Sequence, residues 1–158
     1  MKYLMLYGLL LVITVSEVKS QEVITFRNLH AEETVYFSFN KGKEVAANEN
    51  WDISFKKTTI EVNNEAQLLE KPFDEITEAP DQGYRADTDK VKAIPKGSGN
   101  GWYNYSLIKH TVEPIPDRTI LVKTTSDQIV KLEIMSYYKN QKKTESSSYY
   151  TFRYAYVH

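Results

Sequence analysis

The stretch 149–157 alternates with a period of two, and one of its faces is wholly aromatic: Tyr150, Phe152, Tyr154 and Tyr156. Successive side chains of a strand point to opposite faces of a sheet, so this spacing specifies a half-buried β-strand. A helix would scatter the same four rings around its axis. The tyrosine face needs something flat and apolar to pack against, either a second sheet or a planar ligand, and the function turns on which of the two it meets.

The rest of the chain repeats the theme. Residues 23–26 read as a short first strand, turned by the polar residues 28–33. Residues 34–39 read as a second strand with Val35, Phe37 and Phe39 on one face. Trp51, Ile53 and Phe55 alternate with Asp52, Ser54 and Lys56, which predicts a strand with the polar trio outward, extended after a bulge by residues 58–62. Residues 119–123 and 129–138 predict a hairpin. In its second arm Val130, Leu132 and Ile134 face one way, and Lys131, Glu133 and Met135 the other. Residues 63–96 are acidic, poor in aromatics and broken by Pro72, Pro80 and Pro95, with Leu68 and Leu69 suited only to a short helical turn. A segment of that length without structure is unusual in a compact domain and is commonly a binding loop or a long surface excursion. The pattern as a whole predicts an all-β protein of antiparallel sheets packed face to face, with one long irregular loop.

Residues 1–20 read as a secretory signal peptide. Lys2 supplies the positive end, an apolar run over 4–13 is interrupted only by Gly8, and Val18-Lys19-Ser20 stands at the cleavage position. The run is too short for a membrane span. Residues 21–158 are then expected to form a single exported domain, periplasmic or extracellular, with no transmembrane segment. The absence of cysteine excludes a disulfide framework, a thiolate metal site, a cysteine nucleophile and a lipidated cysteine anchor. A net charge of −1 with scattered lysines argues against a nucleic-acid partner.

Candidate chemistry is sparse. Gly97-Ser98-Gly99-Asn100-Gly101 lacks the Lys-Ser/Thr pair of a phosphate loop. No nucleophile elbow or calcium-loop spacing occurs, so an enzyme is not expected. Three histidines are present. His158 is terminal, His30 sits in a polar turn, and His110 follows the aromatic strand 102–105 and precedes Pro114 and Pro116, which places it at a sheet edge or rim. On the residues alone His110 reads first as an ordinary surface histidine and second as a donor to haem iron. Met135, the one methionine outside the signal, reads as packing rather than as a ligand. The surplus of tyrosine and tryptophan fits a sandwich core, or a cleft for a planar or sugar-like ligand, or a protein interface.

The strand 51–55, the block Gly101-Trp102-Tyr103-Asn104-Tyr105, the strands 118–123 and 129–134 with Tyr137-Tyr138, and the closing tyrosine strand, in that order, resemble the HmuY-like family of secreted haem-binding haemophores of Bacteroidetes. The resemblance covers roughly residues 34–157. It implies a non-catalytic protein that captures haem outside the cytoplasm with two axial ligands, histidines in some members and methionines in others. One comes from the long loop and one from just after the Gly-Trp strand. His110 sits near the second position and is the implied metal ligand, with Tyr103 and Tyr105 beside the cofactor. The loop of residues 63–100 holds neither His nor Met, which leaves Tyr84 as its iron donor and one axial ligand lost. The family's lipid-anchor cysteine is missing. Implied partners are haem or another planar small molecule, and an outer-membrane receptor or a host haem protein. The alternative is a β-rich interaction module of the same fold that binds no haem.

Overall fold

The computed structural model describes residues 21–158, so the signal peptide expected over residues 1–20 lies outside the described residues. The strands are β1 (Ile24–His30), β2 (Val35–Ser38), β3 (Lys43–Val45), β4 (Ile53–Lys56), β5 (Thr59–Val62), β6 (Glu65–Glu70), β7 (Arg85–Ala86), β8 (Tyr103–Ser106), β9 (Thr111–Pro114), β10 (Arg118–Lys123), β11 (Ile129–Tyr138) and β12 (Ser147–Val157). They pair antiparallel as a six-stranded sheet in the order β1-β12-β11-β10-β6-β7, a four-stranded sheet in the order β3-β2-β4-β5, and the separate hairpin β8-β9. The expected all-β class is what the chain adopts. Among the described residues no helix is long and apolar enough to cross a membrane.

The aromatic strand meets a second sheet. Within its own sheet β12 sets Phe152 opposite Ile134 on one side and Phe26 on the other. Tyr150, Phe152 and Tyr154 are buried against the four-stranded sheet. Phe37 meets Phe152 edge-on at 5.3 Å, Phe55 stacks on Phe152 at 5.6 Å, and Phe39 packs on Tyr154 at 5.0 Å. Burying such a ring is worth about 1.5–3 kcal/mol, and the ring pairs add about 0.5–1.5 kcal/mol each. Tyr150 keeps its polar end satisfied in the dry interior: its hydroxyl donates to the Lys57 carbonyl at 2.7 Å. Lys57 holds a left-handed backbone (φ 49°) in the two-residue turn between β4 and β5. Residues 58–62 therefore fold back as a hairpin partner and do not extend β4.

Three other expectations are corrected. Residues 63–96 are not structureless throughout, because β6 lies inside the large sheet beside β10. Ala66 and Leu68 pack on the main core while Leu69 joins a second cluster around Ile76, Leu121 and Val157 on the opposite face. A strand covered on both faces loses its alternation. Asp52 and Ser54 are buried rather than outward. The Asp52 carboxylate accepts from the Phe39 amide at 2.8 Å and from the Thr125 amide and hydroxyl at 2.7 and 2.9 Å, tying two loops together. Lys131, expected on a solvated face, is covered by the turn Phe73–Glu75. Its ammonium donates to the carbonyls of Phe73 and Ile76 at 3.0 and 2.8 Å and lies over the Phe73 ring.

Candidate functional site

The hairpin β8-β9 stands apart from both sheets. Cross-strand pairing puts Tyr103, Tyr105, Val112 and Pro114 on one face. At its base Tyr103 and Val112 pack on the main core. Trp102, just ahead of the hairpin, is buried; it donates its indole N–H to the Thr58 carbonyl at 2.9 Å and packs on Tyr150. The Val112 amide donates to the Tyr138 hydroxyl at 2.8 Å, and Glu113 pairs with Lys143 at 2.7 Å. That ammonium holds the Glu113 carboxyl below its usual range. The glycine turn ahead of the hairpin is needed sterically: a Cβ on Gly101 would lie 2.0 Å from the Pro95 carbonyl oxygen. The base of the finger is thus fixed in place.

The tip is different. Leu107 is 78 % exposed and Ile108 93 % exposed. A turn normally carries Gly, Asn, Asp, Pro or Ser; here the two outermost residues are large hydrocarbons beside Lys109. His110 closes the turn in the left-handed region (φ 52°), and its Nδ1 lies 3.1 Å from the Tyr105 hydroxyl. Histidine tolerates that region better than most residues, and seven other non-glycine residues among those described share it, so the backbone alone marks no site. When Nδ1 carries the proton and donates to Tyr105, Nε2 keeps its lone pair. That is the arrangement in which proteins present a histidine to a metal, the other nitrogen being fixed by an outer partner.

Of the residues singled out in the sequence, the fold brings Tyr103, Tyr105 and His110 onto this one hairpin. It places Tyr84 elsewhere, in the cluster around Ile76, Leu121 and Val157. The Tyr84 hydroxyl is buried without a hydrogen-bond partner, the Lys123 ammonium lies over its ring at 4.6 Å, and burial raises its pKa above the usual phenol value. His30 ends strand β1 instead of sitting in a turn and stacks on Tyr149 at 4.3 Å. Met135 is 44 % exposed on β11. Among the described residues no group of three or more His, Asp or Glu side chains is placed to hold a metal ion. A cleft of about 340 Å³ opens between β6 and the segment from Gly83 to Asn100, and Arg85 and Gln67 are among its walls. Sequence reasoning missed β9, the exposure of Leu107 and Ile108, and the Tyr105–His110 contact. Residues 107–110 contain no turn-forming residue, so nothing in the sequence marked the turn.

Neither a protein-family model nor any curated protein matches the chain. Solved structures do. The apo HmuY analog of Tannerella forsythia superposes with a TM-score of 0.61 at 14% identity, over 90% of this chain and 100% of that one. A Bacteroides vulgatus protein described as HmuY-like and heme-binding gives a TM-score of 0.60 at 16% identity over 92% and 97%. Apo PinO of Porphyromonas gingivitis gives 0.62 at 15% identity over 88% and 99%. At these identities the likeness is one of fold: the chain has the architecture of the HmuY-like proteins over nearly its whole described length.

Proposed function

We propose that this chain is a non-catalytic binding protein that takes up haem through His110 at the tip of the β8-β9 hairpin. The observation that carries the reading is the Tyr105–His110 pair at 3.1 Å, an imidazole held by one nitrogen beside two exposed aliphatic side chains. Haem is a flat apolar ring with a metal that accepts an imidazole lone pair. Leu107, Ile108 and the Tyr105 ring offer apolar contact, and His110 Nε2 the ligand atom. The fold shared with a protein described as heme-binding supports the same reading.

His110 is the one protein ligand in this reading. Tyr84 stands outside this reading because it packs in the cluster around Ile76, Leu121 and Val157, whereas the hairpin packs on the main core. Tyr103 serves the site from below, as the packed base of the finger. Export by way of residues 1–20, residence in the periplasm or outside the cell without a lipid anchor, and exchange of haem with an outer-membrane receptor or a host haem protein complete the reading. They rest on the sequence and the resemblance.

Titration of haem into the purified protein tests it. A saturable Soret shift with one haem per chain is expected. Tyr105→Phe is expected to weaken binding about tenfold, the low end of the ~10–100-fold typical for loss of an outer-shell partner, and His110→Ala to weaken it more than that. An unchanged Soret band, or equal binding by His110→Ala, would sink the proposal. The exposed Leu107-Ile108 pair favours a second reading, an interaction module whose hairpin tip enters a protein partner. That reading expects no Soret shift.

A further inference from the structure

The outer face of the four-stranded sheet carries a cleft unrelated to the hairpin. Strand register builds it: Ser54 on β4 stands between Tyr36 on β2 and Glu61 on β5, and the next outward row sets Lys56 opposite Thr59. Thr34 ahead of β2 and Lys96 from the long loop join Ser54, Lys56, Thr59 and Glu61 in lining a cleft of about 170 Å³. That is below the ~300–1,000 Å³ of a drug-sized site, and suits a ligand no larger than a single sugar ring.

Four polar groups of this cleft are uncommitted. Among the described residues no side-chain hydrogen bond engages the hydroxyls of Thr34, Ser54 or Thr59, and Lys96 has no ion-pair partner. Ser54 is 3 % exposed, and what remains open of it lines the cleft. The Ser54 hydroxyl opens to the cleft and offers it a donor and an acceptor. Lys56 has only a loose surface contact with Glu33 at 3.4 Å. Glu61 is held by Lys92 at 2.8 Å and remains an acceptor on the cleft wall.

We infer that this cleft binds a small hydroxylated carboxylate of the sugar-acid class. The ligand carboxylate pairs with the Lys96 and Lys56 ammoniums. Its hydroxyls exchange hydrogen bonds with Ser54, Thr34 and Thr59, and one donates to Glu61. The two lysines discriminate against a neutral sugar. The Glu61 carboxylate repels a bare polyanion and leaves an acceptor that only a hydroxyl-bearing ligand satisfies.

The test uses isotope-labelled protein without haem, so its outcome does not depend on His110. Amide shifts are followed on addition of glucuronate, glucose, acetate or inorganic phosphate. Saturable shifts at Ser54, Thr59 and Lys96 are expected with glucuronate, at an affinity at least about tenfold above the other three. Lys96→Met, an exposed substitution, is expected to weaken glucuronate about tenfold while leaving the remaining spectrum in place. Absence of saturation, equal binding of acetate, glucose or phosphate, or unaltered binding by Lys96→Met would overturn the inference.

Discussion

His110 carries two opposed demands. Its left-handed backbone (φ 52°) costs an L-residue roughly 1–2 kcal/mol, a cost glycine escapes. A turn chosen for stability alone would hold glycine there. His110→Gly is therefore expected to match or exceed the wild-type unfolding temperature while losing haem binding, read by thermal melts beside Soret titrations. A clear drop in melting temperature would show that the imidazole serves to brace Tyr105 instead. The sequence placed His110 at a sheet edge or rim after the tryptophan strand; the residue lies in the tip turn of the separate β8-β9 hairpin. It did not reveal the contact with Tyr105, five residues earlier. That contact exists only because β9 folds back on β8, and the return strand Thr111–Pro114 ends in the proline that marked a turn.

Strands whose residue types alternate were the readable ones, even β12, where Thr151, Ala155 and Val157 are buried opposite the rings. The closing aromatic strand and β11 announce themselves by alternation, and the hairpin of β10 and β11 follows from the short loop between them. The reading fails where residue types do not alternate or where a polar residue is covered. β6 shows Ala-Gln-Leu-Leu with no clean period, and Lys131 in β11 is polar yet covered because carbonyls of the 73–76 turn receive its charge. Asp52 is the same lesson in β4: alternation put it outside, and three hydrogen bonds keep it inside. Asp52→Ala strands the Phe39 and Thr125 amides. It is expected to cost about 3 kcal/mol in urea unfolding, since hydrogen bonds to a charged group are worth about 1.5–3 kcal/mol each and are only partly replaced by water. A loss under about 1 kcal/mol would show that these loops are held by other contacts.

At the scale of the whole molecule, tyrosine-rich layers make stability sensitive to alkali. Burial is the leading cause that raises the pKa values of Tyr84, Tyr137, Tyr150, Tyr154 and Tyr156 above the usual phenol value of 10.0. Unfolded tyrosines release their protons near pH 10, and the folded ones only at higher pH. Between those limits the folded state holds more protons, so stability is full below about pH 10 and falls as pH rises. Lys131 works in the opposite sense. Burial lowers its pKa, and the cost of its buried charge lifts once it deprotonates. The phenols outnumber it. Circular dichroism is expected to collapse together with the late part of the tyrosinate rise, above about pH 10, that belongs to the buried phenols; complete tyrosine ionisation on an intact sheet signal would contradict that.

The two layers and the hairpin divide the work: the aromatic strand meets a second sheet and builds the frame, and a separate finger carries His110 with its second ring nitrogen outside the Tyr105 contact. Whether that nitrogen meets iron is read most directly from the ferrous haem-loaded protein by resonance Raman spectroscopy. An iron–imidazole stretching band is expected in the wild type and should vanish in His110→Ala. The band missing from the wild type, or surviving in the variant, would contradict the assignment of His110.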